Sequence, residues 1–212
     1  MQDISYIVGD SLYLNITNRC TNECSFCIRN KAKLFNKKYA LWLEQEPSAQ
    51  EILKAIGDPT KYQQIVFCGY GEPLIRLDVV KNVAATFRSP KKYGSLKTSA
   101  TLPKIRIDTN GQANLFWGRN ILPELKGLIN IISISLDAEN AELYDRICRS
   151  HYGQEAYAAV IEFIKEAKKY IPEVEASVVD LPVVDKKACK KIADDLGVGF
   201  RIRSYYKETY VR

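Results

Sequence analysis

The chain has 212 residues, which at roughly 100–200 residues per domain is one full domain or at most two small ones, long enough to bury a sizeable core. Hydrophobic residues make up 46% and charged residues 26%, a composition that excludes a disordered chain. Thirty-one Lys and Arg against 25 Asp and Glu leave a net +6, a mild excess along the chain with local concentrations at Arg29 to Lys38 and at Arg88 to Lys104 (Lys91, Lys92, Lys97), for which a solvated surface accounts better than a nucleic-acid face. Apolar runs fall short of the roughly 18–20 residues of a membrane span. Met1-Gln2-Asp3-Ile4-Ser5 has no basic segment followed by an apolar one, so no secretory signal is visible and a reducing cytoplasm is the default compartment.

Strand-like and helix-like runs alternate along the chain, the pattern of βα units around a parallel sheet. The first strand is Leu12 to Ile16. After a loop, Ser48 and Glu51 form a capping box at the start of a helix through Ile56, stopped by Gly57 and Pro59. The second strand is Gln64 to Cys68, and a helix from Leu77 to Phe87 carries Val79, Val80, Val83 and Phe87 on one stripe. The polar loop Arg88 to Pro103 leads to a third strand, Lys104 to Asp108, with Asn110-Gly111 as its turn. A short helix near Leu122 to Lys126 precedes the most apolar strand, Asn130 to Leu136. Helices over Glu139 to Arg149 and Gln154 to Tyr170 lead to the fifth strand, Glu173 to Val179. A helix capped by Asp185 and closed at Leu196-Gly197 leads to the sixth, Phe200 to Arg203. Six units fill residues 1–212 as a single domain. In such α/β sheets the functional groups sit beyond the carboxyl ends of the strands.

Directly after the first strand, Cys20, Cys24 and Cys27 place three thiols in eight residues. Closed structural zinc wants four ligands, usually as two Cys/His pairs, but Cys68, Cys148 and Cys189 stand singly and His151 is the only histidine. Disulfides suit a reducing compartment poorly, and three clustered cysteines leave one unpaired. Three thiolates after a strand suit an iron–sulfur cluster, in which one iron would lack a protein ligand and offer an open catalytic position.

Cys20-x-x-x-Cys24-x-Phe26-Cys27 after a strand resembles the signature of the radical S-adenosylmethionine (radical SAM) superfamily. The resemblance implies a partial (β/α)6 TIM-like barrel with a mostly parallel six-stranded sheet. It also implies a [4Fe–4S] cluster on Cys20, Cys24 and Cys27, with the amino and carboxylate groups of S-adenosylmethionine on the fourth iron and Phe26 near the adenine. Cys68-Gly69-Tyr70-Gly71-Glu72-Pro73 is similar to the family's Gly-Gly-Glu-Pro segment, which contacts the cofactor's amino group; Tyr70 stands where many members have Gly. Thr109-Asn110-Gly111 after the third strand is common in the family and equally an ordinary tight turn. At the fourth strand end, Ser135 and Asp137 share one side and occupy the family's ribose-binding place, although Asp137 could equally cap the next helix. Around the fifth strand members carry a Gly-rich adenine segment; here Ala176-Ser177-Val178-Val179-Asp180 has no glycine, which leaves Ser177, Val179 and Asp180 as candidates.

Cys68 could line the pocket or act as a small buried hydrophobe, and Cys148 and Cys189 read as helix core. His151, Arg146 and Arg149 could meet a carboxylate or simply be solvated. The resemblance implies reductive cleavage of S-adenosylmethionine to a 5′-deoxyadenosyl radical that abstracts hydrogen from a substrate, with reduced ferredoxin or flavodoxin as electron donor. The basic segment Arg29 to Lys38 is a candidate docking surface for such an acidic donor. An open barrel leaves room for a large substrate, a partner chain or self-association to cover the site. The chain pattern, including Asn15-Ile16-Thr17-Asn18-Arg19-Cys20, is most similar to the TatD-associated radical SAM proteins. Competing readings are an electron-transfer protein, which would need a fourth ligand, and a zinc-stabilised nucleic-acid-binding module.

Overall fold

The alternating apolar runs fold in the computed structural model, which describes residues 2–31, 34–88 and 102–205, into one seven-stranded sheet. Strands β1 (Ser5–Val8) and β2 (Ser11–Leu14) form an antiparallel hairpin. Gly9 takes the turn at φ 57°, in the left-handed region that glycine enters without steric cost. Then β3 (Gln64–Phe67), β4 (Lys104–Thr109), β5 (Ile131–Ser135), β6 (Glu173–Val179) and β7 (Gly199–Arg203) add in sequential order, each parallel to its predecessor. The sheet order runs from β1 to β7 without closing, so those two strands are its edges. Six parallel strands match the six expected. The seventh, β1, corrects that count, and its signal was present: Tyr6-Ile7-Val8 runs straight into a Gly-Asp hairpin turn.

Six α-helices are found among the described residues: α1 (Ala49–Ile56), α2 (Leu77–Arg88), α3 (Ala113–Trp117), α4 (Ala141–Cys148), α5 (Glu155–Ala167) and α6 (Lys186–Leu196). Ser48 and Glu51 make both halves of the capping box on α1, and Asp185 accepts from Lys187 N and Ala188 N at the start of α6. The expected helix near Leu122 is a 3-10 turn, Leu122–Leu125, with Pro123 in its first turn. Helix α3 falls where only a turn was read. Asn140, not Asp137, caps α4, its side chain accepting from Leu143 N at 2.9 Å.

Strand periodicity sorts the sheet into two faces. Ile65, Phe67, Ile105, Ile107, Ile132, Ile134, Ala176 and Val178 pack with Val80, Val83, Phe87, Val160 and Phe163 of the helices in one contiguous buried core. Each fully buried aliphatic or aromatic side chain contributes roughly 1.5–3 kcal/mol of transfer free energy. The other face of the sheet mixes apolar residues, Val66, Ile131 and Val179, with polar and charged ones such as Arg106, Asp108, Ser133, Glu175, Arg201 and Arg203. Among the described residues no helix is long and apolar enough to cross a membrane.

Candidate functional site

The chain leaving β2 is held by Asn15, which is fully buried. Its Nδ2 donates to Leu41 O at 2.7 Å and Asp3 O at 3.2 Å, and its Oδ1 accepts from Tyr70 N at 3.1 Å. The segment after β3 lies directly against it. A Cβ on Gly69 would stand 2.2 Å from Asn15 Oδ1, and one on Gly71 would stand 2.5 Å from both Thr17 O and Arg19 O. The two glycines therefore make room for the chain that delivers Cys20. Tyr70, the departure from the family's glycine, is buried with Tyr6 and Leu41 in a second small apolar cluster.

Cys20, Cys24 and Cys27 are all free thiols and all partly exposed. Burial, and next the Glu72 carboxylate, push the Cys20 thiol up to about 12; Asn22 N donates to its sulfur at 3.4 Å. Burial also raises Cys27, and negative charge on Cys24 would raise both, which places the three thiols in one electrostatic neighbourhood. Among the described residues no three His, Cys, Asp or Glu gather tightly enough for a single metal ion. The loop is tied down from outside: Glu23 N donates to Cys148 O at 3.1 Å and Ser25 N to Ile147 O at 2.9 Å, at the end of α4. Cys148 is fully buried, and the neighbouring Cys24 thiol, followed by burial, raises its pKa. Arg29 spans the loop, donating to Asn18 O at 3.1 Å and Asn22 O at 3.2 Å. Within the basic segment, Arg29 is thus engaged in the loop, Lys31 hydrogen-bonds Tyr205, and Lys33 lies outside the described residues, as do Lys91, Lys92 and Lys97.

Glu72 is 4% exposed. Its carboxylate accepts from Leu74 N at 3.0 Å, Thr109 Oγ1 at 2.8 Å and Asn110 N at 2.7 Å. Burial pushes it up to about 7 despite those donors, and no cation of the described residues is among the main influences on it. Asn110 continues the connection, its Nδ2 donating to Thr21 Oγ1 at 2.8 Å and lying 3.8 Å from Cys20 Sγ. Gln112, 1% exposed, completes it. Its Oε1 accepts from Thr21 Oγ1 at 2.7 Å and Ser150 Oγ at 3.0 Å, and its Nε2 donates to Asn22 Oδ1 at 2.8 Å and Tyr144 OH at 2.9 Å. Every donor and acceptor site of that amide is used. Gln112, Tyr144, Thr21 and Asn22 are not singled out in the sequence, and Arg29, expected there in a docking segment, braces the cysteine loop with its side chain instead. Their signal was position alone: two lie inside the cysteine motif and one lies two residues past Asn110.

The structure brings Thr109, Asn110, Glu72 and Cys20 together. Phe26 packs half-buried against the main core. Asp137, at φ 55°, is raised by burial; its Oδ1 accepts from Arg203 Nη2 at 2.6 Å and Val179 N at 3.2 Å. Ser135 Oγ accepts from the same Arg203 nitrogen at 3.0 Å, while the buried Ser177 hydroxyl reaches Ile134 O at 3.5 Å. Val179 is buried, whereas Asp180 is exposed and pairs with Lys186 at 3.0 Å. Cys68 is raised to about 12 by burial and then by Asp108. Cys189 is core. Arg146, Arg149 and His151 are exposed, and His151 stands 3.9 Å from an exposed Glu23. A cavity of about 600 Å³ lined by Lys168, Pro172 and Gly197 lies at the amino ends of β5 to β7, the opposite end from the cysteines.

A family model described as the Radical SAM superfamily matches residues 14–196. The chain belongs to the radical SAM superfamily. Members of this superfamily are enzymes that use a [4Fe–4S] cluster and S-adenosylmethionine. Among curated relatives, the radical SAM chain is 27% identical over 144 residues to GTP 3′,8-cyclase of Pseudomonas fluorescens (strain Pf0-1), covering 66% of this chain and 37% of the relative. It is 25% identical over 188 residues to GTP 3′,8-cyclase of a Picosynechococcus species, covering 87% of this chain and 51% of the relative. It therefore spans about half the length of those relatives or less. Among solved structures, HydG, a maturase of the [FeFe]-hydrogenase, aligns with a TM-score of 0.58 at 14% identity, over 92% of this chain and 42% of that one; the likeness is one of fold.

Proposed function

We propose that Cys20, Cys24 and Cys27 hold the [4Fe–4S] cluster in a single core domain. Bound there with S-adenosylmethionine, the cluster supplies reductive cleavage to a 5′-deoxyadenosyl radical that abstracts hydrogen from the substrate. The observation that carries this reading is the juxtaposition of three free thiols at the carboxyl end of β2 with the buried carboxylate of Glu72 and the side chain of Asn110. The donor set fits: the thiols are unpaired and accessible, and they do not converge on one point as a single ion bonded at about 2.3 Å to each sulfur would require.

Glu72 supplies the counter-charge for an ammonium group. It is buried, accepts three hydrogen bonds and has no cationic partner among the described residues, so a ligand ammonium would hold it ionised. Gly69 and Gly71 act by letting the Glu72 segment close on the cysteine segment. Thr109 and Asn110 orient Glu72 and steady Cys20, Phe26 offers an apolar face to adenine, and Ser135, Asp137 and Ser177 stand as polar partners for ribose. Reduced ferredoxin or flavodoxin supplies the electron, with Lys37 and Lys38, and Lys31 once released from Tyr205, as the docking part of the segment. The closer likeness to the TatD-associated subfamily rests on the motifs at the strand ends.

The test is 5′-deoxyadenosine formation by anaerobically reconstituted protein given S-adenosylmethionine and dithionite. Slow substrate-free cleavage is expected from the natural sequence and none from Cys24→Ala. A four-iron cluster that forms normally in the natural sequence yet gives no product would instead favour electron transfer.

A further inference from the structure

A barrel of this architecture ordinarily fills its inner face with branched aliphatic side chains. Here that face keeps Val66, Ile131 and Val179 but also carries an ionic cluster. Arg106 Nε donates to Asp108 Oδ1 and Nη2 to Glu175 Oε1, both at 2.6 Å. Arg201 Nε donates to the same Glu175 oxygen at 2.7 Å and Nη2 to Ser133 Oγ at 3.1 Å. At the carboxyl end of β7, Arg203 Nη2 serves Asp137 and Ser135. Arg203, Cys68 and Asp108 are close enough to influence one another's ionisation, so this guanidinium faces across the mouth of the sheet.

Three guanidinium groups meet three carboxylates, and the charges balance. The hydrogen bonds do not. Each guanidinium carries five N–H donors, and among the described residues the Nη1 amino groups of all three arginines have no partner. Arg203 Nε is a buried donor without a partner, and it alone is so among the buried side-chain polar atoms of the described residues; the Nη1 groups therefore reach accessible space. Asp137 and Glu175 each already accept two bonds on one oxygen. Three Nη1 groups and Arg203 Nε are thus left over as donors, on residues of fixed positive charge. Arg201 and Arg203 are 35% and 31% exposed against 11% for Arg106. They sit on the edge strand β7, approachable from the open side of the sheet.

We propose that Arg201 and Arg203 bind an anionic oxygen group of the substrate, a phosphate or a carboxylate, through the Nη1 groups that their bonds within the protein leave free, as charge-assisted hydrogen bonds. The inference deepens the proposed function and rests on it for placing the substrate at this mouth.

The test uses cluster-free protein, so it does not depend on radical chemistry. Inorganic phosphate and acetate are titrated separately by calorimetry at low salt. Saturable binding of one of them is expected, weakening as ionic strength rises; which one binds more tightly distinguishes phosphate from carboxylate. The double variant R203Q/D137N removes both members of the buried pair and strands no charge. It should bind at least tenfold more weakly with unchanged far-UV circular dichroism. Should that variant not fold, Arg201→Gln leaves Glu175 paired with Arg106 and should show the same loss. Absence of saturable binding to either anion, or equal binding by a folded variant, overturns the proposal. In reconstituted protein, displacement of the anion by S-adenosylmethionine would assign the arginines to the cofactor's carboxylate and overturn it equally. Failure of deoxyadenosine formation leaves the calorimetric result standing.

Discussion

Glu72 shows how one buried residue makes the site responsive to pH. Its carboxyl is moved from 4.5 to about 7 by burial, so the folded protein holds a proton that the unfolded chain has released. Folded-state affinity for protons exceeds that of the unfolded state between those values, and stability must fall as pH rises through that window. The size is about 3 kcal/mol. Chemical denaturation of the cluster-free protein at pH 5 and pH 8 should show this loss, and Glu72→Gln should flatten it; an unchanged slope in the variant would place the titration elsewhere. Cys148 poses a different question, because its ionisation is affected by the neighbouring Cys24 and an electron-transfer protein would need a fourth ligand. It is fully buried on α4, packed into the core. Cys148→Ser should therefore retain full iron content and deoxyadenosine formation, whereas Cys24→Ala loses both. Loss of the cluster in Cys148→Ser would make Cys148 a ligand and sink the radical reading.

Between elements, the cysteine loop is positioned chiefly by the amide of Gln112, at the start of α3, which joins it to α4 through Tyr144 and to the α4–α5 connection through Ser150. A typical buried hydrogen bond contributes about 1 kcal/mol, and each orphaned partner costs about 1–3 kcal/mol. Gln112→Leu should therefore lower stability by about 2–4 kcal/mol in denaturant titration and reduce iron incorporation. Tyr144→Phe, which removes one hydroxyl, should cost about half as much. Equal stability of the leucine variant would show that the loop is held by its backbone bonds to α4 alone. This network also marks where the sequence stops being legible. Cys20, Cys24 and Cys27 lie within eight residues, and Ser48, Glu51 and Asp185 act on neighbours two or three residues away, so a linear reading finds them. Gln112 meets Asn22 across 90 positions and Asp137 meets Arg203 across 66; nothing local announces either pair. Asp137 looked like a helix cap because its residue type suits one, but the chain needed that position in the left-handed region and left the cap to Asn140.

For the whole molecule, the question is whether the metal centre holds the fold or the fold holds the metal centre. The main core runs from Leu12 on β2 to Ala193 on α6 and draws on the helix-facing residues of β2 to β6. Of the three proposed ligands only Cys24 packs against it, and only in part. A zinc-stabilised module is the opposite case, since its metal-binding free energy is its folding free energy and chelators unfold it. Here the cluster would add only ordinary ligand linkage, of order RT ln(1 + [L]/Kd), to a chain already folded by apolar burial. Treating reconstituted protein with an iron chelator should bleach its visible absorbance while leaving far-UV circular dichroism unchanged. Thermal unfolding should stay cooperative, with a midpoint only a few degrees lower, because roughly 1 kcal/mol shifts the midpoint of a domain this size by about 2–4 °C. The cysteine loop alone should loosen, seen as faster hydrogen exchange at residues 20–29 with strands β3 to β6 still protected. Collapse of the circular dichroism signal on chelation would mean that the thiols are structural, and the zinc-stabilised alternative would then explain the chain better than catalysis does.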